Sequence, residues 1–196
     1  MAVRRTGHIR IASESRTAQV VSNGVLGMLL FVIVEVMVFA GFISAFSIIR
    51  ASAMVWPPLD QPRLPFEATA VNTAALLASG FLLYRARRSF QRDRESAQTP
   101  LLWSMLLGGF FVAFQGYEWV RLIGQGLTLT SSSLGSFFYM IIGLHGLHAI
   151  AALGLLVYTW NRLRMGWLVQ SQLATAEVFW YFVVGLWPVL YLVVYL

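Results

Sequence analysis

Long apolar runs separated by short, arginine-rich polar stretches set the pattern of this chain. A helix that spans a bilayer needs about 20 predominantly apolar residues. Five runs have that length: Gly24 to Ile49, Phe66 to Tyr84, Leu101 to Gly124, Leu134 to Trp160 and Ala174 to Leu196. The expected fold is all-α, a five-helix integral membrane bundle forming one domain over residues 1–196, with residues 1–19 as a cytoplasmic tail. No internal repeat or low-complexity tract interrupts the pattern.

The distribution of charge fixes a direction for these spans. Arg4, Arg5, Arg10 and Arg16 precede the first, Arg85, Arg87, Arg88, Arg92 and Arg94 follow the second, and Arg162 and Arg164 follow the fourth. Only Arg50, Arg63 and Arg121 fall on the other side. Positive connections stay in the cytoplasm, so the N-terminus is expected inside and the C-terminus outside. Composition agrees with a bilayer as solvent: 58% of the 196 residues are hydrophobic and 11% charged, against roughly 25% charged in ordinary soluble domains.

Cysteine is absent, which removes disulfides, thiolate metal sites and covalent haem attachment. The first apolar run is longer than a signal-peptide core of roughly 7 to 15 residues and shows no clear small-residue cleavage site. It is expected to remain in the mature chain.

Several features are structural in this scheme. Trp56, Trp103, Trp119, Trp160, Trp167 and Trp180 lie mostly near helix ends, as expected of rings anchored at the headgroup boundary. The loop holding Trp56, Pro57, Pro58, Pro62 and Pro65 should be extended and stiff, because proline fixes φ and restricts the residue before it. Pro188 should bend the fifth helix. Gly143, Gly146, Ala149 and Ala152 form a series of small residues suited to close helix contact.

The ionisable residues inside the spans carry a cost. A carboxyl at the centre of a membrane helix costs about 2.5 to 3.5 kcal/mol on insertion scales, so Glu35 needs a partner or a proton. His145 and His148 lie one turn apart on the fourth helix. With a rise of 1.5 Å per residue, Glu35 and His148 both sit roughly 17 to 18 Å from the arginine-rich side, which predicts that they meet. Glu118 and Arg121 are spaced as a boundary ion pair, and Glu177 near the start of the fifth helix suits the positive end of the helix dipole.

Together these stretches resemble subunit III of the haem-copper respiratory oxidases. GMLLFVIVEVMVFAGFISAF, from Gly27 to Phe46, is similar to the family helix with a buried glutamate, here Glu35. Trp56, Pro57 and Pro58, then NTAALLASG from Asn72 to Gly80, resemble the family's WPP loop and following helix. Gln115, Tyr117 and Glu118 resemble its glutamine and glutamate-tyrosine cluster, and GLHGLHAI from Gly143 to Ile150 is the most specific match. Longer members of the family have seven helices and short bacterial ones five. The last helix departs from the pattern, with Tyr181 and Val184 where histidine and aspartate are usual, and the stretch after the second helix is arginine-rich instead of histidine-containing.

The resemblance implies a chain with no catalytic and no metal-ligating residue of its own, in the respiratory chain of a bacterial cytoplasmic membrane. Subunit I would be its main contact and subunit II a second, with haem and copper in the partner, and no nucleic acid would be bound. Phospholipid would be held between its helices, and proton uptake supported. Glu35, His145, His148 and Glu118 are the proton- or lipid-linked candidates. Trp56, Pro57, Pro58, Asn72 and Gly146 are packing or loop positions. Three histidines, one of them His8 in the tail, fall short of the six or so ligands that family's redox centres need.

Other readings are a component of a quinol oxidase or nitric oxide reductase, or a stand-alone proton channel or transporter using Glu35, Glu118, His145 and His148. A membrane metalloenzyme is a further one, but the paired ExxH spacing of helical di-iron sites is absent.

Overall fold

A computed structural model describes residues 22–55, 64 and 66–195. The helices are α1 (Asn23–Ser52), α2 (Phe66–Arg92), α3 (Gln98–Gly124), α4 (Ser133–Arg164) and α5 (Gln170–Leu190). A 3₁₀ turn at Glu95–Ala97 leads into α3, and a π turn at Tyr191–Tyr195 follows α5. All five helices are long and apolar enough to cross a membrane, and no strand occurs among the described residues. Trp56, Pro57, Pro58, Arg63 and the arginines of the tail lie outside the described residues.

Local chemistry explains where the helices begin and end. Ser22, in extended backbone, accepts a hydrogen bond from the Val25 N–H at 3.4 Å, and Ser132 accepts one from Gly135 at 3.0 Å. Each satisfies an N–H group that has no intrahelical partner. α2 outruns its apolar stretch, so that Arg85, Arg87, Arg88 and Arg92 lie on the helix itself. Arginine favours helix, and backbone hydrogen bonding does not stop where the hydrocarbon does. Asp93 ends the run: its carboxylate accepts from the N–H groups of Glu95 and Ser96 and from the Ser96 hydroxyl. Gly126 and Gly166 close α3 and α4 with φ of 92° and 77°, a left-handed backbone that glycine adopts without strain.

Side chains tie the arginine-rich ends together. Arg94 donates to the Gly166 carbonyl at 3.2 Å, and Arg87 forms an ion pair with Glu177. The α2–α3 and α4–α5 connections therefore share one end of the bundle. At the other end Arg50 donates to the Val193 carbonyl at 3.1 Å.

The core sits among α2 to α5. Between membrane helices, packing and interhelical hydrogen bonds replace the hydrophobic effect as the force of association. Asn72 donates to the Phe111 carbonyl at 3.2 Å, Ser79 to the Ser104 carbonyl at 2.8 Å, and Ser104 back to the Ser79 carbonyl at 2.9 Å. Two indoles on α5 extend this seam: Trp180 donates to the Ser79 hydroxyl at 3.1 Å and Trp187 to the Thr73 hydroxyl at 2.8 Å. Trp180 is therefore no headgroup anchor; it lies in mid-helix and fully buried, whereas Trp103 and Trp167 are exposed.

Pro188 does not end α5, and the backbone leaves α geometry only at the π turn, where Gln115 donates to the Tyr195 hydroxyl at 3.1 Å. The small residues of α4 divide. Ala149 and Ala152 are fully buried, while Gly143 and Gly146 face the ring of Trp119. α1 is the least enclosed helix, with only Phe39 and Phe46 buried among its residues.

Candidate functional site

The central polar contact joins α1 to α4. Oε2 of Glu35 lies 3.2 Å from Nε2 of His148. The other ring nitrogen, Nδ1, lies 2.7 Å from the carbonyl of Leu144 one turn earlier. A carbonyl only accepts, so Nδ1 carries a hydrogen and Nε2 is left to face the carboxyl. A hydrogen bond between Oε2 and Nε2 then requires a hydrogen on one of the two atoms.

The surroundings of the pair are apolar. The rings of Phe31, Phe39, Phe179 and Phe182 stand around the imidazole at centroid distances of 6.1, 5.7, 6.1 and 6.0 Å. The Glu35 side chain keeps 18% of its surface open. Beside it a cleft of about 390 Å³ is lined by Met28, Phe31, Leu147, His148, Ala151 and Phe179.

His145 is one turn away and belongs to other surroundings. It is buried, neither ring nitrogen has a hydrogen-bond partner among the described residues, and its ring lies 5.0 Å from that of Trp187. It lines a second cavity of about 300 Å³ between α3 and α4, together with Gln115, Gly116, Trp119, Gly143 and Gly146. Glycine opens that space: a Cβ at Gly146 would come within 3.2 Å of the Trp119 ring.

Glu118 joins neither histidine. Its carboxyl is buried, with Oε1 at 4.0 Å from Arg121 and Oε2 without a hydrogen-bond partner among the described residues. The four polar candidates thus fall into three separate settings. Asn72 lies in the hydrogen-bonded seam between α2 and α3.

Sequence reasoning missed the pairing of Arg87 with Glu177. Glu177 lies two turns inside α5 and is 1% exposed, beyond the reach of the helix-terminal N–H groups, so Arg87 of α2 and not the dipole holds it. Applying the depth argument from the arginine-rich end of α2 would have placed the two level. On α5, Val184 packs against Gly80, and the Tyr181 hydroxyl is buried without a partner among the described residues. Polar contacts of α5 run instead through Glu177, Trp180 and Trp187. Among the described residues no three His, Cys, Asp or Glu side chains gather as a metal-binding group.

Comparison with known proteins places these features. The profile of the family described as cytochrome c oxidase subunit III matches residues 9–196. The chain is 32% identical over 177 residues to a probable cytochrome c oxidase subunit 3 of Nocardia farcinica, covering 87% of this chain and 86% of that protein. It is 35% identical over 176 residues to the probable subunit 3 of Mycobacterium leprae, with 87% and 86% covered. With the cytochrome c oxidase subunit 3 of Synechocystis it shares 30% identity over 175 residues, covering 87% of this chain and 74% of that one. A five-helix membrane bundle with Glu35 set against the GLHGLHAI helix, matched along nearly its whole length, belongs to the cytochrome c oxidase subunit III family.

Proposed function

We propose that this chain serves its cytochrome c oxidase as a subunit without a redox centre of its own. It braces subunit I, its main contact, meets subunit II, holds phospholipid against its helices and helps sustain proton uptake. Haem and copper belong to the partner subunits. The arginine-rich end of the bundle, with Arg85, Arg87, Arg88, Arg92, Arg94, Arg162 and Arg164, supports a cytoplasmic placement of that end in a bacterial cytoplasmic membrane. The N-terminus then lies inside and the C-terminus outside.

The observation that carries the functional part is the 3.2 Å contact between Glu35 and His148. Ionisable groups inside a membrane are costly, and their usual use is in proton or ligand handling. Here Nε2 of an imidazole that lines an apolar cleft faces a carboxyl at hydrogen-bond distance. A lipid chain in that cleft would control how much water reaches the pair. Glu118 and His145 are secondary polar positions. Trp56, Pro57, Pro58, Asn72 and Gly146 are kept as packing or loop positions.

Glu35→Gln in the assembled oxidase tests the assignment. The haem spectrum and initial oxygen consumption should be kept, while proton uptake slows and the number of turnovers before inactivation falls. Unchanged uptake and lifetime would overturn the role of Glu35. Purification in mild detergent tests the partnership separately: a haem-bearing protein should accompany the chain.

A further inference from the structure

We propose that the cavity between α3 and α4 binds a neutral, membrane-dissolved aromatic ring compound carrying an oxygen substituent, a quinone or a phenol, with that oxygen hydrogen-bonded to His145 and Trp119.

Unspent hydrogen-bonding capacity is the first observation. His145 is 1% exposed, and its Nδ1 and Nε2 and the Nε1 of Trp119 have no hydrogen-bond partner among the described residues. Such groups are rare in folded proteins, because a buried donor or acceptor without a partner keeps its full desolvation cost. Both residues line the cavity. The other polar side chains of its wall are engaged: the Trp187 indole donates to the Thr73 hydroxyl and the Gln115 amide to the Tyr195 hydroxyl. An indole only donates, and an imidazole in its neutral form offers one donor and one acceptor. A carbonyl oxygen meets the two donors, and a hydroxyl can also donate to the bare imidazole nitrogen.

Shape is the second observation. The volume of about 300 Å³ is at the lower end for small-molecule sites, roughly 300 to 1,000 Å³. Its walls are rings. The imidazole of His145 lies 5.0 Å from the Trp187 ring at 33°, and Phe111 stands edge-on to both at 6.3 and 4.8 Å. Aromatic groups favour offset stacking and edge contacts, so a flat guest fits such walls. Leu147 and Ile150, which complete the lining, are 63% and 57% exposed, so the cavity opens on the flank of the bundle.

Depth and polarity narrow the guest further. His145 stands near the middle of the 32-residue α4, about 18 Å from its start, too deep for a phosphate headgroup. No charged side chain among the described residues lines the cavity, so a charged guest would be left uncompensated in the membrane. A hydrocarbon would leave the three polar atoms unpaired. An enclosed water needs roughly two to four polar partners, and three atoms cannot supply enough waters to cover the apolar remainder. The cavity shares only Leu147 with the cleft beside His148, so the proposal stands or falls apart from the role assigned to Glu35.

The test uses membranes holding the oxidase complex that carries this chain. They are labelled with a photoreactive azidoquinone, and the labelled peptides are mapped by mass spectrometry. Menadione, 2-naphthol and 2-methylnaphthalene compete as the quinone, the phenol and the bare ring, each at a known concentration in the bilayer. Label should fall on the α3 and α4 peptides that contain Trp119 and His145. Menadione or 2-naphthol should displace it at roughly a tenth or less of the concentration needed with 2-methylnaphthalene, and whichever is stronger identifies the oxygen chemistry. Trp119→Phe and His145→Phe should each weaken that displacement about fivefold, the value of one neutral hydrogen bond, and leave 2-methylnaphthalene unchanged. A Cβ at Gly116, which lines the cavity, would meet nothing within 4 Å. Gly116→Leu should therefore fill the space and abolish the label. Equal displacement by all three competitors would overturn the proposal, as would label confined to other peptides or to a partner subunit. Full-strength displacement in both phenylalanine variants would do the same. Should the variants fail to assemble, the contrast between oxygen-bearing and bare rings in the wild-type complex decides alone.

Discussion

Glu35 and His148, 113 positions apart in sequence, meet across α1 and α4 with 3.2 Å between Oε2 and Nε2. The contact is a polar link, mid-way along a helix of which only Phe39 and Phe46 are buried. Removing Glu35 strands the imidazole among four phenylalanine rings, and removing His148 leaves a largely enclosed carboxyl without its partner. His148→Phe should therefore destabilise the chain by about 1–3 kcal/mol, the cost of an unsatisfied buried polar group. Glu35→Gln keeps a hydrogen-bonding group and should cost less. The double variant Glu35→Leu, His148→Phe should recover much of the loss, because a well-packed apolar pair removes the stranded group. Thermal unfolding in detergent, run as a double-mutant cycle, measures the coupling. Additive single and double effects would mean that the contact contributes nothing.

Arg87 and Glu177 predict an asymmetry. The Glu177 side chain is 1% exposed and that of Arg87 43%. Arg87→Ala leaves a carboxylate with no compensating charge in the core and should cost about 3–5 kcal/mol. Glu177→Ala leaves a guanidinium that reaches solvent, so the loss should be smaller, about 1 kcal/mol as for an exposed pair. Unfolding midpoints of the two single variants in the same detergent give the comparison, and equal losses would contradict the burial difference.

The Glu35–His148 and Arg87–Glu177 contacts show what could be seen in the sequence and what could not. Hydropathy and the alternation of arginines gave the five spans, because each obeys a requirement set by the bilayer alone. The meeting of Glu35 with His148 followed from depth, since two straight helices that start at one surface carry their residues to equal heights. The direction of a side chain around its helix is set by packing. His145 and His148 are neighbours in sequence, yet Trp187 and Phe111 enclose one while Glu35 holds the other. Trp180 looked like an interface residue by composition, and only the gap left by Gly108 shows why it turns inward. The extension of α2 past Tyr84 was hidden because apolarity ends there and helical hydrogen bonding continues.

That gap gives a further prediction. A Cβ at Gly108 would stand 2.5 Å from the Trp180 ring, whose indole is fixed by its hydrogen bond to Ser79. Gly108→Ala should cost about 1–3 kcal/mol through overpacking. At the adjacent Gly109 the nearest atom, on Leu153, would be 4.0 Å away. Gly109→Ala should be neutral or stabilising by up to about 1 kcal/mol, the helix-propensity gain of alanine over glycine. Detergent stability of the two variants separates packing from propensity, and a loss at Gly109 as large as at Gly108 would refute the steric account.

Asp93 links pH to the turn between α2 and α3. The Ser96 hydroxyl holds its carboxyl below the usual carboxylate range, helped by the N–H groups of Ser96 and Glu95. Because the folded value is the lower one, the stabilisation is fully present above the unfolded value of about 3.9 and is lost as pH falls through the folded value. Asp93→Ala should therefore speed amide exchange at Glu95 and Ser96 by a factor that is constant at neutral pH. That factor should shrink only in acid, below about pH 4. Exchange rates at these two amides, followed by mass spectrometry from neutral pH into acid, provide the measurement. A difference between variant and wild type that persists unchanged to the most acid pH would show that the carboxylate charge plays no part in holding the turn, and one that appears only in acid would reverse the assigned sign.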